Sequence, residues 1–120
     1  MSDIKRINVG KRMSDIAIFN RVAYLVGVTP EDPTQDIEGQ TKQVLARIDR
    51  ILAEAGTDKS RLLTAQIFLT HISEFEGMNR AWDAWIPQGA TPARATIEAR
   101  LAKPEFKVEI MVTAALPDSQ

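Results

Sequence analysis

The stretch Met111-Val112-Thr113-Ala114-Ala115-Leu116 is apolar or small at every position, and so is Val22-Ala23-Tyr24-Leu25-Val26. Successive side chains of a strand point to opposite faces, so a strand with one solvated face alternates in polarity. A strand buried on both sides does not alternate. These two segments therefore ask for a covering layer on each face of their sheet, and the rest of the chain can supply only one.

Two helices are predicted. Ile37, Thr41, Val44, Leu45, Ile48, Ile51, Leu52 and Ala55 recur at helical spacing, and Gly56 stands where a left-handed C-terminal cap is expected. Ser73 with Glu76 three residues later reads as a capping box opening a second helix, whose apolar face carries Phe75, Met78, Trp82, Trp85 and Ile86. Pro87, Gly89 and Pro92 end it. Strands are predicted at Ile4–Val9 (an edge strand), Asp15–Phe19, Val22–Val28, Leu62–Thr70, Arg94–Leu101 and Phe106–Leu116, with a hairpin at Asn20-Arg21. The order of elements gives an α+β fold, a mixed six-stranded sheet with both helices on one face, in a single domain over residues 1–120 without repeat or linker. The uncovered face then calls for another copy of the chain, so a homo-oligomer is expected.

Composition narrows the chemistry. Fifteen Lys and Arg against sixteen Asp and Glu leave a formal net charge of -1, which implies no basic surface able to dominate nucleic-acid binding. No apolar run is long enough to span a bilayer, and Met-Ser-Asp-Ile-Lys-Arg at the start lacks the apolar stretch of a secretory signal, so a cytoplasmic protein is expected. The absence of Cys excludes thiolate nucleophiles, disulfides and cysteine metal sites. His71, the single histidine, leaves no cluster for zinc and reads as a surface residue near the Ser73 cap. The six glycines form neither a G-x-G-x-x-G nor a Walker pattern.

Two residues stand out chemically. Between Ala93 and Leu101, Ala93, Ala95, Ile97, Ala99 and Leu101 share one strand face while Arg94, Thr96, Glu98 and Arg100 share the other. A guanidinium held there can grip a carboxylate with two parallel hydrogen bonds. Fifteen residues on, Glu109 alternates with Lys107, Met111, Thr113 and Ala115, which places an acid among increasingly buried neighbours. The bland reading is a solvated arginine, or an ion pair of Glu109 with Arg94, Arg100 or Lys107, and an exposed pair contributes only about 0–1 kcal/mol. Burial would raise the Glu109 pKa and a neighbouring arginine would lower it, so its direction is open at this level. Trp82 and Trp85 read as core, with Trp85 near enough to the helix end to border a pocket. Lys42, Arg47, Asp49 and Arg50 read as the solvated face of the first helix.

Thr91-Pro92-Ala93-Arg94-Ala95-Thr96-Ile97-Glu98, followed by Lys107-Val108-Glu109-Ile110, resembles the closing signature of the RidA (YjgF-like) family of imine and enamine deaminases. Arg12-Met13-Ser14-Asp15, the segment from Met78 to Trp85, and Pro104-Glu105-Phe106-Lys107 are most similar to its YoaB-like branch. The resemblance implies a chorismate-mutase-like fold assembled as a homotrimer, its sheets forming a central barrel with three clefts between subunits. It implies that Arg94 holds the carboxylate of a 2-imino or 2-aminoenoic acid, and that Glu109 positions or activates the water that attacks the imine carbon. A 2-keto acid and ammonia result, with no metal or organic cofactor needed; the RNA-acting role proposed for some relatives gains nothing from the net charge of -1, so neither nucleic acid nor a membrane is expected as a partner. Thr96 is implied as a ligand neighbour and Gly27 as a pocket position.

The chain departs from the family pattern at three places. Thr96 stands where many deaminating members carry Cys, the tyrosine of the first loop is replaced near Met13, and Val26-Gly27-Val28 lacks the usual following glutamine. These leave the preferred substrate open. The alternative expectation is a non-catalytic trimer that binds small carboxylates or keto acids.

Overall fold

The computed structural model describes residues 3–117. Along the chain run β1 (Lys5–Val9), β2 (Ser14–Phe19), β3 (Val22–Leu25), α1 (Ile37–Ala55), β4 (Leu62–Leu69), α2 (Phe75–Trp85), β5 (Ala93–Glu98) and β6 (Val108–Ala115). The strands form one six-stranded sheet in the order β1-β2-β3-β6-β4-β5. Only β4 and β5 are parallel, because the chain crosses between them through α2; the other neighbours are antiparallel. Among the described residues no helix is long and apolar enough to cross a membrane.

The predicted α+β architecture is the observed one. Ile16, Leu25, Ile67, Leu69, Ile110 and Val112 face the helices and are buried against Val44, Leu45, Ile48, Leu52, Met78 and Trp82. Full burial of each such side chain contributes about 1.5–3 kcal/mol. The opposite face is bare within one chain, where Tyr24 and Ile97 are each 48% exposed and Met111 is 45% exposed. Ala93, Ala95 and Ile97, the apolar set of β5, belong to this bare face, since they pair with Thr64, Gln66 and Phe68 rather than with the buried Ala65 and Ile67.

Local signals explain the ends of the elements. Asp36 caps α1 by accepting the Gly39 N–H at 2.8 Å, and Gly56 closes it at φ 85°, a left-handed conformation that L side chains resist. The β2–β3 hairpin turns without glycine, since Asn20 and Arg21 both take positive φ, at 52° and 67°. The Ser73–Glu76 capping box is not realised. Ile72–Glu74 instead forms a short 3-10 turn, α2 starts at Phe75 with no side-chain cap bond, and Glu98 of β5 accepts the Ile72 N–H at 2.9 Å. A tertiary contact has replaced the local one.

The strand predicted over Val22–Val28 ends at Leu25. Tyr24 pairs with Thr113 and Val28 bridges Ile110, so four steps along one strand match three along the other. The extra residue bulges the chain around Val26-Gly27 before Val28 rejoins Ile110 through bonds of 2.8 and 3.1 Å. The last two strands are also shorter than predicted, β5 stopping at Glu98 and β6 starting at Val108, because residues 99–107 form a connection folded over the end of the sheet.

That connection is pinned by Gln40, a fully buried polar residue of α1. Its amide nitrogen reaches the carbonyls of Pro33, Gln35 and Glu105 at 2.9–3.1 Å, and its oxygen accepts the Lys107 N–H at 2.8 Å. Gln40→Leu strands several of these groups, and each buried orphan costs about 1–3 kcal/mol. We expect a loss of about 2–4 kcal/mol by urea denaturation; a change below about 0.5 kcal/mol would mean that surface substitution and this network cost alike.

Candidate functional site

Arg94 lies on the edge strand β5 and pairs with the buried Ala65, so its side chain leaves the sheet on the helix side. There its guanidinium carbon sits 5.2 Å from the centroid of Trp82 and 5.8 Å from that of Phe75, both on α2. Two rings beside a cation hold it by their negative faces, at about 0.5–2 kcal/mol each, and leave the N–H edge unused. Among the described residues Arg94 makes no ion pair or hydrogen bond. Burial lowers its pKa and the Asp83 carboxylate opposes that shift, but the group stays cationic. A cleft of about 320 Å³ adjoins it, lined by Thr64, Ala65, Gln66, Ala93 and Ala95. The sequence reading took Trp82 only as core; it is core, 4% exposed, and also the platform under Arg94.

Thr96 follows on the same row of β5, paired with the buried Ile67. Its hydroxyl oxygen is buried and finds no hydrogen-bond partner. His71 is exposed and caps nothing through its side chain, as expected of a surface residue.

Glu109 is on the other face. It pairs with Phe68 of β4 and points to the bare side of the sheet, into a cleft of about 240 Å³ shared with Phe68, Ala99, Arg100, Leu101 and Ala102. Arg94 and Glu109 are thus separated by β4 and by the thickness of the sheet. The bland alternative, an ion pair of Glu109 with Arg94, Arg100 or Lys107, does not occur among the described residues. Burial alone moves the Glu109 carboxyl, raising its pKa, and this decides the direction that sequence left open.

Gly27 belongs with Glu109. A Cβ at that position would overlap the Glu109 carboxylate oxygen, so glycine lets the acid lie in this orientation against the bulge after β3. Of the four residues singled out by sequence, the structure brings Arg94 together with Thr96 and Gly27 together with Glu109, as two half-sites. Among the described residues no group of His, Asp and Glu could hold a metal ion.

The raised Glu109 pKa has a consequence for stability. An acid whose pKa is higher folded than unfolded favours folding while it is protonated, and that advantage is lost as pH rises through the folded pKa. Glu109→Gln removes the buried charge, so the variant is expected to be more stable than the native chain at pH 7. The difference should vanish below about pH 4, where both side chains are neutral. Thermal melts across that range check it, and a variant less stable at pH 7 would contradict the burial argument.

Comparison with known proteins agrees with this fold. Residues 4–116 match the family model described as endoribonuclease L-PSP. A RutC family protein of Haemophilus ducreyi is 50% identical, over 94% of this chain and 97% of the relative. The RutC family protein YoaB of Escherichia coli is 44% identical, over 94% and 98%. The crystal structure of a YjgF-family protein from Neisseria meningitidis superposes with a TM-score of 0.94 at 44% identity, over 98% of each chain. At greater distance, the chloroplastic Reactive Intermediate Deaminase A of Arabidopsis thaliana is 27% identical, over 88% of this chain and 56% of the relative. With its sheet order, its Arg94 and Glu109 half-sites and these matches, the chain belongs to the RidA (YjgF-like, RutC) family, in its YoaB-like branch.

Proposed function

We propose that this chain assembles as a homotrimer and hydrolyses reactive 2-imino acids to 2-keto acids and ammonia in clefts between subunits. The observation that carries the reading is the pair of side chains on opposite faces: a guanidinium with no hydrogen-bond or ion-pair partner among the described residues and a carboxyl with a burial-raised pKa. One chain cannot close both on a small molecule, whereas two chains can. The bare sheet face around Tyr24, Ile97 and Met111 supplies the apolar surface for such an assembly. The name of the Arabidopsis relative supports the reaction class.

In the proposed reaction Arg94 of one subunit binds the substrate carboxylate with two charge-assisted hydrogen bonds. Glu109 of the next subunit accepts a proton from water as the water oxygen bonds to C2 and the C=N π pair moves onto nitrogen. With the imine protonated at the start, Glu109 then returns the water's proton to nitrogen; as the C–N bond breaks the hydroxyl O–H pair closes to C=O, its proton passes back to the Glu109 carboxylate, and ammonia leaves the keto acid. A carboxyl with a raised pKa suits both halves of this exchange, and positioned acid–base groups typically contribute about 10² to 10⁴ in rate. The chain's own groups can perform each step, so neither a metal nor an organic cofactor enters. A cytoplasmic setting suits an enzyme acting on metabolic imines, and the net charge of -1 favours a small-molecule ligand over nucleic acid. The rival reading, a trimer that only binds keto acids, gives the Glu109 carboxyl no task.

Arg94→Ala should lower kcat/KM on iminobutyrate generated in situ by about 10² or more, from the loss of two bonds of about 1.5–3 kcal/mol each. Glu109→Gln should lower kcat at least as far. If each site draws on two chains, refolding the two inactive variants together restores about a quarter of native activity, the share of interfaces that random mixing leaves intact. No recovery would place both groups in one chain's site. Activity absent from the native protein would favour the binder.

A further inference from the structure

The Glu109 cleft holds a second charged residue, Arg100, to which the reaction gives no task. The backbone fixes where it stands. Ala99 donates its N–H to the Leu69 carbonyl at 2.9 Å, and Phe68, the residue before Leu69, pairs with Glu109. Arg100 follows directly and lines the cleft with Phe68, Ala99, Leu101, Ala102 and Glu109. Two acids are at hand, Glu98 two residues earlier and Glu109 in the same cleft. Among the described residues Arg100 makes no ion pair or hydrogen bond with either of them. Burial is the sole cause of the Glu109 shift, so the guanidinium stands clear of that carboxyl rather than against it.

The remaining side chains of the cleft are hydrocarbon. Its space of about 240 Å³ therefore offers an acid, a separate cation and apolar walls. A molecule that matches this set brings a reacting carbon to Glu109, lays a short methylene chain on Phe68 and Leu101, and ends in an anion. The planar fork of a guanidinium fits a carboxylate with two parallel hydrogen bonds.

We infer that Arg100 reads the far end of the substrate, so that the site takes acidic 2-imino acids, whose side chain ends in a second carboxylate. This rests on the deaminase reading and names its substrate class. The first carboxylate goes to Arg94 of the neighbouring subunit, C2 faces the water on Glu109, and the second carboxylate meets Arg100. An imino acid with a purely hydrocarbon side chain leaves Arg100 in water and forgoes that charged contact.

The test compares native protein, Arg100→Gln and Arg100→Lys by calorimetry with two keto acids of equal carbon number, 2-oxoglutarate and 2-oxopentanoate. Turnover of iminoglutarate and iminopentanoate, each generated in situ, is measured beside it, and gel filtration follows the assembly. The native protein is expected to bind 2-oxoglutarate about tenfold more tightly than 2-oxopentanoate. Arg100→Gln brings that ratio close to one and Arg100→Lys keeps part of it, with the KM for iminoglutarate rising relative to that for iminopentanoate by the same factor. No preference in the native protein, a ratio unchanged in Arg100→Gln, or dissociation of the Arg100→Gln assembly, which would place Arg100 in a subunit contact, would overturn it. A native protein that prefers 2-oxoglutarate but turns over neither imine refutes the deaminase reading and leaves Arg100 as the contact to the second carboxylate. One that turns over both imines with equal kcat/KM refutes the Arg100 assignment alone.

Discussion

A six-stranded sheet has two faces to bury, and this chain makes helices for one of them. Everything else about the molecule is arranged around that shortfall. The helix side is filled by branched aliphatic side chains from α1 and the central strands and by Met78, Ala81 and Trp82 of α2. The other side keeps Tyr24, Ile97 and Met111 in water when the chain is alone. Each of the two chemically pointed side chains sits on a different side, with β4 between their strands. In the proposed assembly, covering that bare face would also bring the two halves of a site within reach of each other.

Each half is built by packing rather than by loops. Arg94 is held against two rings of α2, and α2 is oriented by its crossover from β4 to β5 and by the Glu98 contact at Ile72. Glu109 is held by a bulge that adds one residue between β3 and β6 and by the missing side chain of Gly27. The connection leading into β6 is fixed from behind by Gln40. Placing a carboxyl where burial raises its pKa costs stability at neutral pH.

Much of this was legible in the sequence, for reasons that can be named. Helix α1 was legible because its apolar period and Gly56 agree, while its Asp36 cap emerged only in the structure. The bare sheet face was legible from β6 and β3, which do not alternate. The start of α2 was not, because the Ser73–Glu76 signature lost to a contact with Glu98 that is distant in sequence. The bulge at Gly27 was invisible for a similar reason, since only its meeting with Glu109 explains it. Arg94 and Glu109 were found by residue type and by likeness to a family. That they would lie on opposite faces depends on how β5 pairs with β4, and parity along one strand cannot reveal which face the helices take. The rings under Arg94 were hidden by their second role as core.

The most direct measurement is a crystal structure of the assembled protein with 2-oxobutyrate bound. The account predicts one ligand per interface, its carboxylate on Arg94 of one subunit and its C2 carbon facing Glu109 of the next. A ligand contacted by Arg94 and Glu109 of the same chain, or an assembly that leaves the bare sheet face uncovered, would contradict it.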